Sequence, residues 1–232
     1  MFKRKKKQTN QKMRHLITQL NPRSPISEQF RTVRTNLQFA AIDDKVQTII
    51  VTSAGPGAGK SIVSANLAVV YAQQGMKTLL IDADLRKPTV HYTFRLSNLR
   101  GLSSVLIGEA SFEEAVENGT VDNLHVLPCG PIPPNPAELL ASKRMKELIE
   151  YAEGIYDFII VDTPPVMAVT DAKILSNIVD GVLFVVRSDV TEKEDAKKAY
   201  ELLNDGNTRI LGAVINDVPK KEGASYYYYY GN

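Results

Sequence analysis

The run Thr48-Ile49-Ile50-Val51-Thr52-Ser53-Ala54-Gly55-Pro56-Gly57-Ala58-Gly59-Lys60-Ser61-Ile62-Val63 decides the fold. Four apolar or β-branched residues, a glycine-rich bend and a second apolar run spell strand, phosphate loop and helix. Glycines allow main-chain N–H groups to turn inward around an anion, and the helix that follows presents its positive end to the same point. Lys60 adds a mobile cation, and the Ser61 hydroxyl can hold a magnesium ion against phosphate oxygens. Gly55, Pro56, Gly57, Ala58, Gly59, Lys60, Ser61 and Ile62 are therefore the expected nucleotide-binding residues, with ATP and Mg2+ as cofactors.

Composition is compatible with one α/β domain around this loop. A chain of 232 residues, 44% hydrophobic and 23% charged, is long enough for a substantial core. Its formal net charge of +2 does not argue for nucleic acid as a partner. A lone Cys129 rules out an intrachain disulfide. No apolar run reaches the length of a membrane span, so a cytoplasmic protein is expected.

Outward from the loop, residues 1–25 carry Lys3, Arg4, Lys5, Lys6 and Lys7 and are read as a flexible basic arm, either solvated or in contact with an anionic leaflet. Ser27 is the expected cap of a helix whose Phe30, Val33, Leu37 and Ala41 form one face. Glu28, Arg31 and Arg34 form a separate row on that helix, able to pair with a second copy. Downstream, strands are expected at 77–82, 123–127, 158–161, 182–186 and 210–215. Helices are expected at about 59–74, 101–108, 111–118, 135–153, 170–179 and 191–203, the last with a Thr191/Glu194 capping box. The stretch 85–100 reads as irregular and basic. Alternating strands and helices imply a doubly wound, mainly parallel sheet, as in P-loop nucleotide-binding proteins. One such domain spans 26–218, and 219–232 is a flexible tail.

Ligands in such sheets sit at the carboxyl ends of strands. Asp82 and Asp84 end one strand, two positions apart and thus on one side. Asp162 ends another, where an acid that orients magnesium is expected. Like charges this close need a divalent cation or arginines to be tolerable. Lys60, Asp82, Asp84 and Asp162 are the candidate residues for a catalytic or metal-binding role. Asn216, after the last strand, is a candidate contact to the base. His15, His91 and His125 show no metal spacing.

Tyr226, Tyr227, Tyr228, Tyr229 and Tyr230 hold five of the ten tyrosines. Consecutive aromatics have no amphipathic pattern; they are a docking tail or a set of substrates. With this tail, the phosphate loop, the acids and the Glu28-Arg31-Arg34 row, the chain resembles the bacterial tyrosine kinase family. The likeness is to the separate cytoplasmic kinases of Gram-positive capsule and exopolysaccharide systems, and it runs from Ser27 to the end.

The resemblance implies a protein-tyrosine kinase that phosphorylates its own tail tyrosines and other proteins, with Lys60 stabilising the phosphates, Ser61, Asp84 and Asp162 as metal ligands organising magnesium, and Asp82 as base for the incoming phenol. It further implies a membrane-anchored activator that would bring the chain to the inner membrane, and a counteracting tyrosine phosphatase. A ring held through Glu28, Arg31 and Arg34 would admit one subunit's tail to its neighbour's site, and phosphates on that tail would repel it from the acids. The alternative is a positioning ATPase of the ParA or MinD type, which usually carries a lysine where Gly55 stands and lacks a tyrosine string.

Overall fold

The computed structural model describes residues 16–40, 45–204 and 208–219. In chain order the elements are helices α1 (Ile17–Leu20) and α2 (Pro25–Ala40), strand β1 (Thr48–Ser53), α3 (Lys60–Ala72), β2 (Thr78–Asp82) and α4 (Val90–Phe94). Then come α5 (Leu102–Ile107), α6 (Phe112–Ala115), β3 (Glu117–Asn118), β4 (Leu124–Leu127), α7 (Pro136–Leu140), α8 (Lys143–Glu153) and β5 (Phe158–Asp162). The series closes with α9 (Asp171–Ser176), β6 (Gly181–Arg187), α10 (Lys193–Asn204) and β7 (Ile210–Asn216).

The strands form one sheet in the order β3-β4-β2-β5-β1-β6-β7, and every pairing is parallel except the short β3–β4 edge. Strand residues alternate between two cores, as the two-residue period requires. Ile50, Leu79, Ile81, Ile159 and Val161 face the cluster under α5 to α10. Ile49, Val51, Leu80 and Ile160 face α2, α3 and α4. Central strands covered on both faces explain why β1, β2 and β5 are buried along their whole length.

Several expected boundaries move. Leu16 to Pro25, read as the end of a flexible arm, is folded: Leu16 is buried, and Thr18 donates from N and Oγ1 to Asn66 Oδ1 on α3 at 3.1 and 2.9 Å. The N-terminal basic run and the tyrosine tail lie outside the described residues. Ser27 is not the cap of α2; Ser24 is, accepting from Ser27 N at 3.1 Å. Thr191 accepts from Arg187 N rather than capping α10 from within a box. The helix expected at 135–153 is two, because Ser142 caps a new helix by accepting from Met145 N. The irregular stretch 85–100 contains α4, and β3 replaces the end of the helix expected at 111–118.

Candidate active site

The phosphate loop leaves β1 and delivers its last glycine to the start of α3. Gly57 and Gly59 have φ of +80° and +90°, a conformation that side chains with a Cβ resist. Gly59 is tight as well as twisted, since a Cβ there would lie 2.1 Å from Asn216 Nδ2. Asn216 Nδ2 donates to Ala58 O at 2.9 Å. The residue expected at the base thus packs against the loop's own backbone. Arg187, at the end of β6, reaches Gly57 O from the same side while pairing with Asp217.

Lys60 Nζ lies 3.2 Å from Asp84 Oδ2, and both side chains are nearly buried. Asp84 Oδ1 accepts from Lys87 N. Asp162 is wholly buried at the end of β5, where Ser64 Oγ donates to its Oδ1 at 3.1 Å. Its Oδ2 is buried without a partner. Burial raises the Asp162 pKa, with Lys60, Ser61 and Ser64 pulling the other way.

Asp82 is the direct sheet neighbour of Asp162. It is fully buried, and its Oδ2 accepts from Thr89 N and Val90 N, both at 2.9 Å, while Oδ1 accepts from Asp84 N. Burial first, and Asp162 second, push its pKa up to about 7, against the relief from the two N–H groups. Such a group can accept a proton near neutrality. In this conformation its carboxylate also shapes the turn that carries Asp84.

Lys60, Ser61, Asp82, Asp84 and Asp162 therefore gather at one end of the sheet. No group of three or more His, Cys, Asp or Glu side chains is placed to hold a metal among the described residues. A magnesium ion bound here would rely on one or two carboxylates, the Ser61 hydroxyl and phosphate oxygens, which is how that ion is commonly held beside a nucleotide. The unpartnered Asp162 Oδ2, buried beside Ser61, fits such a cation. Ser64 and Arg187 belong to no sequence motif. A serine four residues after Lys60 and three after Ser61 lies on the same helix face, and that spacing is the signal that could have found the first.

The Glu28-Arg31-Arg34 row is divided. Arg31 pairs with Glu28 and donates to Pro22 O. Arg34, partly buried, donates to Val70 O near the end of α3 at 3.0 Å.

Residues 46–205 match the AAA domain family. The chain is 51% identical over 225 residues to the tyrosine-protein kinase YwqD of Bacillus subtilis, covering 97% of this chain and 95% of that one. Among solved structures, the chimerical protein CapA2B2 superposes with a TM-score of 0.86 at 47% identity, over 88% of this chain and 90% of that one. The septum site-determining protein MinD of Pyrococcus horikoshii, complexed with Mg-ADP, is more remote, with a TM-score of 0.64 at 26% identity over 74% and 70% of the two chains.

Proposed function

The chain belongs to the bacterial tyrosine kinase family, and from that premise we propose that it transfers the γ-phosphoryl group of ATP to tyrosine hydroxyls, those of Tyr226 to Tyr230 included. The observation that carries this reading is the convergence of Lys60, Ser61, Asp84 and the unpartnered Asp162 oxygen on the phosphate loop, with Asp82 on the adjoining strand.

Phosphoryl transfer asks a protein chiefly for position and charge. Loop N–H groups hold the phosphates, and Lys60 leaves Asp84 for the phosphate oxygens. Asp84, Asp162 and Ser61 would hold magnesium, which would supply charge neutralisation on the phosphates when bound. Asp82 takes the phenol proton as the phenol oxygen bonds to phosphorus and the bond to ADP breaks. Burial suits it to this role by raising its proton affinity towards neutrality.

Capsule or exopolysaccharide synthesis is the proposed setting, with a membrane-anchored activator bringing the chain to the inner membrane and a phosphatase reversing the modification. No helix among the described residues is long and apolar enough to cross a membrane. A ring of copies would use Glu28, Arg31 and Arg34, with both arginines exchanging their contacts within the subunit for contacts to the neighbouring copy.

Incubation with ATP and magnesium, followed by mass spectrometry of the tail, tests the activity. Phosphate on Tyr226 to Tyr230 is expected, and much less after Asp82→Asn. A tail that stays unmodified with activator present overturns the reading. Mixing a Lys60→Met chain that keeps its tail with an active chain that lacks one reports on transfer between subunits; an unlabelled Lys60→Met tail refutes such transfer.

A further inference from the structure

Arg86 and Asp171 belong to different excursions from the sheet, yet they meet in a two-pronged ion pair. Arg86 Nε donates to Asp171 Oδ2 at 3.0 Å, and Nη2 donates to Oδ1 at 3.1 Å. The Asp171 side chain is completely buried, while that of Arg86 is 38% exposed. Arg86 stands two residues beyond Asp84, on the segment leaving β2. Asp171 opens α9, nine residues beyond Asp162 on the segment leaving β5.

The two segments begin together. Ala83 N donates to Asp162 O at 2.8 Å, continuing the β2–β5 pairing by one residue. They then diverge, and the ion pair ties them a second time on the far side of both acids. A guanidinium held by two parallel bonds fixes orientation as well as distance, which a lysine ammonium does not.

We propose that Arg86 and Asp171 are a positioning pair: by locking the β2 and β5 excursions together, they set the separation of the Asp84 and Asp162 carboxylates and hence the site's affinity for magnesium. This rests on Asp84 and Asp162 as the magnesium residues. Neither Arg86 nor Asp171 touches the ion or the nucleotide in this role. Outer residues that orient metal ligands commonly alter affinity about 10- to 100-fold when removed.

The test uses the full chain and a fluorescent ADP analogue, titrated in EDTA and then across magnesium concentrations. Arg86→Gln and Asp171→Asn are expected to raise the half-saturating magnesium concentration about tenfold, the low end for such residues. Nucleotide affinity in EDTA is expected to stay within about twofold of the parent, since the phosphate loop is untouched. Arg86→Lys leaves a cation beside the buried Asp171, so it keeps the fold accessible should the other variants fail to fold. It is expected to shift the magnesium response about threefold, since charge survives but the fork does not. A folded Arg86→Lys chain with the parent's magnesium response overturns the proposal, as does a folded Arg86→Gln chain of that kind. A parent chain whose nucleotide affinity ignores magnesium overturns the reading of Asp84 and Asp162 itself, and the pair's role with it.

Discussion

Replacing Asp82 by asparagine should remove a pH dependence of stability that runs in the opposite sense to that of most ion-paired acids. Asp82 has a folded pKa of about 7 against an ordinary value of 3.8. Between those values the folded chain binds a proton that the unfolded chain has released. Stability from this group is therefore fully present at low pH and is lost as pH rises towards 7. The slope reaches about 1.4 kcal/mol per pH unit between the two values and halves at pH 7, so the parent forfeits about 2 kcal/mol between pH 5 and pH 7. Loss of the coupled repulsion on Asp162 acts in the same direction.

The Asp82→Asn chain would have no such slope. Its new amide can still accept from Thr89 N and Val90 N through the single carbonyl, but the NH2 group meets Asp84 N donor to donor, at a constant cost of about 1 kcal/mol. The variant should thus lie within about 1 kcal/mol of the parent at pH 5 and be about 3 kcal/mol more stable at pH 8. Urea unfolding followed by circular dichroism, in EDTA and without nucleotide, measures both chains at each pH. Parallel stability curves for the two chains across this range would show that Asp82 is ionised at ordinary cost, and the burial argument would fail.

Other outcomes follow from single contacts. Gly59→Ala places a methyl group 2.1 Å from Asn216 Nδ2 at a φ of +90°, so nucleotide binding, read by fluorescence, should fall at least about tenfold; an unchanged affinity would mean that the loop relaxes freely. Tyr71→Phe removes a buried hydroxyl with no hydrogen-bond partner and retains the ring stacked on Phe158, so denaturant unfolding should show no loss and a gain of up to about 1 kcal/mol. Ser24→Ala deletes the cap of α2 and should cost about 1 kcal/mol in the same assay, whereas an unaffected midpoint would move the cap elsewhere. Lys60→Met should lower phosphorylation of the tail more than about 100-fold, on the scale of a lost transition-state cation, with retained labelling refuting the role of Lys60.

Periodicity made the central sheet legible because β1, β2 and β5 are uninterrupted apolar runs, each ending in the loop or acid that marks the site. Local signals failed where tertiary contacts chose among equals. Ser24 and Ser27 are both plausible caps, and the one that α2 uses depends on where Ile17 and Asn21 place their carbonyls for Ser27 Oγ. A helical pattern ran unbroken through 135–153, so the break that Ser142 introduces was hidden. The exposed pair β3 has no apolar pattern, because its strand character comes only from pairing with β4. Lys60 is legible from the phosphate loop and Asp84 and Asp162 from strand ends, whereas Asp171 and Arg187 belong to no motif and meet their partners only through the folded chain.

The central place of β5 also governs when a working nucleotide site can first exist. Strands β1 and β2 are not neighbours; β5 fills the gap between them. A chain emerging from the ribosome has its phosphate loop outside long before residue 162 is made, yet it has neither the strand that joins its halves nor the acid that answers Ser61. Such non-local pairing is slow to form. ATP is therefore a ligand of the finished sheet, and its binding energy stabilises complete molecules rather than half-made ones.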